Sequence, residues 1–327
     1  MRKSVGILGG GVSGALLGYL LSREGHDVTL YDIQPNYVKP CGDIVPNIYK
    51  PPFPWEERFR IKRFAFVLDG KPVSEVTYSR TKWVVIDKWG WINSMRKGLA
   101  FRRPEGLIRH DYVIDAKGPY NMDREVVYTT RAILKVKDFD DVALFEFDSK
   151  RTGFYWVFPS AEGELNVGAG FLEYKNSKEL LLSYIKSKFR DSVIVDIRGA
   201  PISVSPPKTT RFRIGESRGL VYPLSGEGIR PSAISAEVAY EAISKGKDFE
   251  EYMRNDRRLK RIGLQIAIQR LLLGMYRAGS PSSRRSLLLS LMKSDVLIDA
   301  YLEDKIDPYG LIESVREVRN GISFREL

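Results

Sequence analysis

Ser4-Val5-Gly6-Ile7-Leu8-Gly9-Gly10-Gly11-Val12-Ser13-Gly14, continuing through Ala15-Leu16-Leu17-Gly18-Tyr19-Leu20-Leu21 and closing on Val28-Thr29-Leu30-Tyr31-Asp32, decides the fold. It sets an apolar run, a glycine turn, a helical apolar segment, a second apolar run and a carboxylate in order, which spells a β-α-β unit. Glycines at these positions predict that the unit binds a dinucleotide. Gly9 permits the tight turn out of the strand, Gly11 lets backbone approach a pyrophosphate, and Gly14 lets the helix pack closely on the sheet. The helix start at Val12 and Ser13 presents free N–H groups and the positive end of the helix dipole to the phosphates. Asp32, followed by Ile33, stands about 20 residues on, where such units accept hydrogen bonds from a ribose diol.

The rest of the composition narrows the chemistry. At 327 residues the chain holds one or two domains of ordinary size, and 43% hydrophobic against 28% charged residues is the balance of a folded protein. Cys41 is the single cysteine, which excludes an internal disulfide framework, and His26 and His110 are the only imidazoles, so no metal centre is expected. An organic cofactor must then carry the chemistry. The net charge of +11 favours anionic partners: phosphorylated substrates, nucleic acid or an acidic membrane surface. Its basic residues are scattered and no nucleic-acid module is recognised, so nucleic acid is not expected. Met1-Arg2-Lys3 ahead of an uncharged run resembles a signal peptide, yet glycines at dinucleotide spacing have no use there and no small-residue cleavage site precedes Arg23. No other uncharged stretch reaches the roughly 20 residues that span a bilayer. A cytoplasmic protein is expected, with contact at a membrane surface left open.

Beyond Asp32, Pro35 to Pro46 is too rich in turn residues for regular structure, and Cys41 and Gly42 are held stiffly after Pro40. Cys41 reads equally as a small buried apolar side chain. Phe64–Leu68 and Val73–Tyr78 around Asp69-Gly70 predict a hairpin, Trp83–Asp87 a strand, and Trp89–Leu99 a helix. Tyr112-Val113-Ile114-Asp115, stopped by Gly118 and Pro119, reads as a return into the first sheet or as a plain strand exit. Phe154–Pro159 and Glu164–Phe171 predict an aromatic hairpin, and Ser177–Phe189 an amphipathic helix. From Phe212 a strand is expected to end at Gly215-Glu216; a glycine-punctuated loop through Gly226 and Gly228 then starts a helix at Ile229. Its N–H groups suit a phosphate or an electron-rich ring. Phe249 to Leu327 reads as mostly helical, with an apolar helix for lipid contact as one option and packing on the main body as the other.

Taken together these segments resemble the flavoproteins of the p-hydroxybenzoate hydroxylase fold and, more narrowly, the geranylgeranyl reductase family. The wider resemblance rests on the Gly9–Gly14 turn with Asp32, on Asp115-Ala116-Lys117-Gly118-Pro119, and on Gly215-Glu216 leading to Pro223-Leu224-Ser225-Gly226-Glu227-Gly228-Ile229. Pro40-Cys41-Gly42 and Phe154-Tyr155-Trp156-Val157-Phe158-Pro159 with Gly168 and Gly170 carry the narrower one, Phe154 standing where the family has tyrosine. The chain departs from the family in Glu216, usually aspartate, and in the very short stretch from Ala100 to Asp111.

The resemblance implies an α/β (α+β) fold: a Rossmann-like FAD-binding β-α-β domain of residues 1–57, 82–125 and 205–247, an inserted antiparallel-sheet substrate domain of residues 58–81 and 126–204, and C-terminal helices over 248–327. It implies bound FAD, with pyrophosphate on the first turn, Asp32 on the adenosine ribose, Cys41 and Gly42 beside the flavin ring, Gly215, Gly226, Gly228 and Ile229 at the ribityl chain and ring, and Asp115, Gly118 and Glu216 among the cofactor-binding residues. Phe154, Trp156, Phe158, Pro159, Gly168 and Gly170 would wall a substrate tunnel, and Cys41 would be the catalytic group. The implied activity is hydrogenation of isoprenoid double bonds in a prenyl lipid or prenyl diphosphate, a step of lipid biosynthesis. Nicotinamide, ferredoxin or a deazaflavin would serve as electron donor. A flavin monooxygenase of the same fold and a non-catalytic flavin- or lipid-binding protein are the alternatives.

Overall fold

The structure is a computed structural model and describes residues 2–327. Strand β1 (Ser4–Leu8) enters helix α1 (Val12–Arg23) through the glycine turn and returns as β2 (Asp27–Tyr31), parallel to β1 with Leu8 opposite Tyr31. Gly9 takes φ +98°, and a Cβ there would lie 2.6 Å from the Ala116 carbonyl oxygen; a Cβ on Gly14 would overlap the Gly9 carbonyl oxygen. Both glycines are therefore demanded by the folded chain itself.

Short strands β3 (Ile44–Pro46) and β4 (Glu57–Ile61) come next, then the hairpin of β5 (Arg63–Leu68) and β6 (Lys71–Tyr78), then β7 (Trp83–Ile86). β3 and β4 pair antiparallel with β7 in a three-stranded sheet, so the turn-rich stretch after Asp32 does contain one strand. The hairpin turns on Asp69 and Gly70, both at positive φ, as the Asp-Gly pair predicts. Helix α2 (Lys88–Arg96), N-capped by the Asp87 carboxylate on the Gly90 N–H, stops short of the expected Leu99. Strands β8 (Ala100–Arg102) and β9 (Tyr112–Asp115) complete a parallel sheet in the order β8-β2-β1-β9, so the Asp115 strand does return to the first sheet, beside β1.

Strands β10 (Val126–Lys135), β11 (Val142–Phe147), β12 (Gly153–Ala161) and β13 (Glu164–Phe171) follow, then helix α3 (Ser177–Lys188) and β14 (Val193–Ser203). With the hairpin they form an eight-stranded sheet in the order β14-β10-β13-β12-β11-β5-β6-β15, in which β11 and β5 run parallel. No strand forms at Phe212–Gly215. Phe212 takes φ +51°, which breaks an extended run, and one bridge from Arg213 to Asp115 remains.

Helix α4 (Ile229–Ser244) packs on α1, and α5 (Phe249–Asn255), α6 (Arg257–Ala278), α7 (Pro281–Met292), α8 (Asp295–Leu302) and α9 (Pro308–Arg319) follow. The C-terminal region is not helical to its end. Strand β15 (Ile322–Glu326) pairs antiparallel with β6, occupying N–H and C=O groups that an open edge would leave unpaired. A buried ionic network fastens the end of α8 to the residue that leads into β7: Lys82 pairs with Asp299 and Glu303, and Lys305 with the same two carboxylates.

Candidate functional site

A cavity of about 1180 Å³ lies beyond the C-terminal ends of β1 and β2, where open parallel sheets place their ligands. It exceeds the roughly 300–1,000 Å³ of an ordinary small-molecule pocket. Of the residues singled out above, Gly9, Gly11, Val12, Ser13, Asp32, Ile33, Cys41, Gly42, Gly118, Glu216, Gly226, Gly228 and Ile229 line it, with Phe154, Trp156, Phe158 and Gly170. Five others stand behind the wall. Gly14 and Gly215 are packing positions, the latter facing the Ser13 and Ser232 hydroxyls. Asp115 accepts hydrogen bonds from Ser217 Oγ (3.0 Å) and Asn121 Nδ2 (2.9 Å). Gly168 makes room for the Trp156 ring, and Pro159 is buried within β12.

At the glycine end, α1 begins with no side-chain cap on its N-terminal N–H groups and no acidic residue in its first turn. A Cβ on Gly11 would meet nothing nearer than the Tyr37 ring, at 3.7 Å. The folded chain does not require glycine there; a ligand lying against the backbone would. Asp32 accepts from the Gly10 N–H (2.8 Å) and the Ile33 N–H (2.7 Å). Arg96, on α2, reaches the Gly10 carbonyl (3.3 Å) and comes within 3.5 Å of Asp32, with its Nε buried and unpartnered. Arg96 escaped the sequence reading, as did Lys88. They stand eight residues apart, about two helical turns, which puts both cations on one face of the predicted helix.

The Cys41 loop lies between the glycine end and the aromatic sheet. Asn166 on β13 accepts from Trp156 Nε1 (3.1 Å) and donates to the Cys41 carbonyl (2.9 Å), so the aromatic hairpin positions the loop. Gly42 runs under Phe158, which would lie 3.3 Å from an added Cβ. Lys88 Nζ donates to Cys41 Sγ at 2.6 Å and sits 3.0 Å from Asp43, while the thiol donates to Asp43 Oδ1 at 3.0 Å. Burial first and the Asp43 charge second push the Cys41 thiol up to about 11, against the opposing pull of Lys88. Burial disfavours the Lys88 ammonium, but Asp43 and Cys41 outweigh it and hold its pKa above the ordinary value.

On the opposite wall Glu216 accepts from the Ser203 N–H (2.7 Å) and from Lys39 Nζ (3.1 Å). α4 starts at Gly228, its first turn already capped by the Glu227 carboxylate, which accepts from the Arg230 N–H (2.7 Å), and Ile229 in that turn faces the cavity. Behind this loop Glu227 and Asp304 flank Arg230. Burial drives both carboxyls upward, Asp304 to about 7 with a further push from the Glu227 charge. The far end is apolar: Phe145, Phe147, Phe154, Trp156 and Phe158 from the large sheet face Leu272, Leu288 and Leu291 from α6 and α7.

Residues 7–43 match the family of NAD(P)-binding Rossmann-like domains. Superposition brings in flavoproteins over the whole length. A geranylgeranyl bacteriochlorophyll reductase-like protein from Thermoplasma acidophilum aligns over 98% of both chains with a TM-score of 0.74 at 15% identity. A flavin-dependent brominase (TM-score 0.69, 13% identity) and p-nitrophenol 4-monooxygenase from Pseudomonas putida (0.65, 12%) also align over 98% of both chains. The chain has the fold of the flavin-dependent oxidoreductases. In sequence it is similar to digeranylgeranylglycerophospholipid reductases, which bears out the narrower resemblance. The protein of that name from Methanosarcina acetivorans is 34% identical over 109 residues, 29% of this chain and 27% of that one. Its counterpart from Sulfolobus acidocaldarius is 25% identical over 320 aligned positions, 74% of this chain and 69% of that one. The Methanosarcina match thus spans about a quarter of that relative's length. Among the described residues no helix of this flavin-dependent fold is long and apolar enough to cross a membrane.

Proposed function

We propose that the protein is an FAD-dependent reductase that hydrogenates carbon–carbon double bonds in the geranylgeranyl-type chains of a glycerophospholipid. The observation that carries this reading is one continuous cavity with a dinucleotide-type turn at one end, a thiol held by a lysine in the middle, and an aromatic and leucine-lined slot at the other. Relatives named digeranylgeranylglycerophospholipid reductases support the substrate class. The uncapped start of α1, the open space at Gly11 and the unpartnered Nε of Arg96 suit an anionic dinucleotide. Gly9, Gly11, Val12, Ser13 and Arg96 would hold the pyrophosphate, Asp32 the adenosine ribose, and Gly42 with Gly226, Gly228 and Ile229 the ring.

When bound and reduced, FAD supplies a hydride equivalent. The chain's own task is to align an unactivated alkene, exclude water and deliver a proton. Phe154, Trp156 and Phe158 form the dry wall. Cys41, its pKa raised to about 11, keeps its proton at neutral pH and presents it from Sγ to the second alkene carbon. Lys88, 2.6 Å away and held in its charged form, stabilises the thiolate left behind until a proton from solvent restores the thiol after the product leaves. The lipid headgroup stays outside the apolar slot.

Incubating the reduced protein with a geranylgeranylated phospholipid and reading lipid mass tests this. Wild type is expected to add a pair of hydrogen atoms per double bond, while Cys41→Ala keeps its flavin and loses about 10²-fold or more in turnover. Unchanged lipid mass would remove the reading, and full turnover by Cys41→Ala would remove the thiol's role.

A further inference from the structure

Residues 257–294, which contain α6 and α7, carry nine cations and no carboxylate, in a chain whose net charge is +11. The outward face of α6 is nevertheless apolar. Leu264, Leu271 and Met275 fall at intervals that keep them on one side of the helix, with Leu271 65% and Met275 61% exposed. A helix that merely packs on its own protein turns polar side chains outward. The neighbouring Leu272 lines the apolar slot, and Leu287 on α7 both lines it and is 46% exposed. The slot therefore opens through leucines onto an exposed leucine and methionine face rimmed by arginines. Of the nine cations, Arg258, Arg261, Arg277, Arg285 and Lys293 bridge to carboxylates elsewhere in the chain, among them Glu241, Glu313, Glu125, Asp69 and Glu326, but with their own side chains nearly half exposed, so solvent screens those pairs and leaves the cations facing out. The exposed Tyr309 and Ile312 of α9, by contrast, alternate with Glu313 and Glu317.

We infer that the α6–α7 face docks on an anionic lipid bilayer, sinking Leu264, Leu271 and Met275 into the interface while the surrounding arginines meet lipid phosphates. An apolar stripe on a segment whose own charges are all basic is the combination that holds a helix in the plane of such an interface. Docked this way, the mouth at Leu287 faces the acyl region, and a lipid chain enters the slot without crossing water. The purpose of the surface rests on the lipid-reductase reading; its existence does not.

The test is cosedimentation of the flavin-loaded protein with vesicles of phosphatidylcholine alone or of equimolar phosphatidylcholine and phosphatidylglycerol. Neither contains isoprenoid chains, so the outcome is independent of catalysis. Wild type is expected to partition at least about tenfold more strongly onto the anionic vesicles, an advantage that falls with added salt. The Leu271→Glu/Met275→Glu double variant should lose about tenfold or more of that partition with an unchanged melting temperature, while Val193→Glu, a comparably exposed position on β14, should retain it. Equal binding by wild type and the double variant, or no vesicle binding by wild type, overturns the inference. A dimer in vesicle-free buffer that the double variant dissolves would also overturn it, by making a second copy the occupant. Reduction of a detergent-solubilised lipid separates the two readings: turnover without vesicle binding sinks the docking surface alone, and vesicle binding without turnover sinks the reductase alone.

Discussion

Gly11→Ala is expected to purify without flavin while its stability falls by no more than about 1 kcal/mol, the ordinary cost of placing alanine at a helix N-cap. Gly11 has φ −75°, which alanine adopts freely, and the new methyl group meets only the Tyr37 ring at 3.7 Å. Its cost falls instead on a ligand, because the methyl group occupies the surface against which a pyrophosphate would lie. Gly14→Ala should behave differently. Its Cβ overlaps the Gly9 carbonyl oxygen and lies 3.1 Å from Ala116 Cβ, so α1 must move off the sheet. Overpacking of this kind costs about 1–3 kcal/mol, and both flavin and stability should drop. Absorbance at the flavin band after gel filtration, read beside the melting temperature, separates the two. Gly11→Ala with a full complement of flavin would mean that the dinucleotide does not lie on this turn.

Lys82→Met is expected to be the most damaging single change away from the cavity, at about 3–5 kcal/mol. Lys82 is fully buried, pairs with Asp299 and Glu303, and lies 4.7 Å from the centre of the Tyr78 ring. Removing it leaves buried Asp299 with Lys305 alone, while Glu303 keeps Lys305 and Arg80. Combining Lys82→Met with Asp299→Asn should recover much of the loss, since one charge leaves with its partner. The network also predicts an acid limit. Burial raises Asp299 and Glu303, but Lys82 and Lys305 outweigh it and hold both carboxyls below their ordinary range. Their contribution is complete above the unfolded values near pH 4 and disappears as pH falls through the lower folded values, because the unfolded chain then binds more protons. Asp304, raised to about 7, works in the opposite sense: between roughly pH 4 and 7 the folded state binds the extra proton, and stability falls as pH rises. Urea unfolding across pH 3–8 for wild type and Lys82→Met checks both limbs; a variant as acid-sensitive as wild type would place the limit elsewhere.

What could be read from the sequence was local. The Gly9–Gly14 turn, the Asp69-Gly70 hairpin and the Phe154–Phe171 hairpin each announce themselves within thirty residues, since turn chemistry and periodicity are properties of neighbours. Contacts made across the chain were not legible. Lys82 meets Asp299 217 residues away, and nothing in the composition around either residue names the other. β15 escaped notice because a short alternating run at the end of a helical region becomes a strand only where β6 offers an edge. Phe212–Gly215 failed in the other direction: its apolar residues look extended, but the positive φ of Phe212, imposed by the tertiary path, overrides that tendency. Within the site, Cys41 and the aromatic hairpin were marked by type and order. Lys88 and Arg96 acquire meaning only when α2 lays them against the Cys41 loop and the glycine turn.

The central claim is that lipid double bonds accept the reducing equivalents of a flavin bound in this cavity. The most direct measurement is anaerobic. The flavin-loaded protein is reduced, a geranylgeranylated phospholipid is added, and the visible flavin band is followed before air is admitted. The account predicts that the band returns on adding the unsaturated lipid and stays bleached with its fully saturated counterpart. A band that returns only when oxygen enters, at the same rate with either lipid, would contradict it and assign the cavity to oxygen chemistry of the kind this fold also hosts.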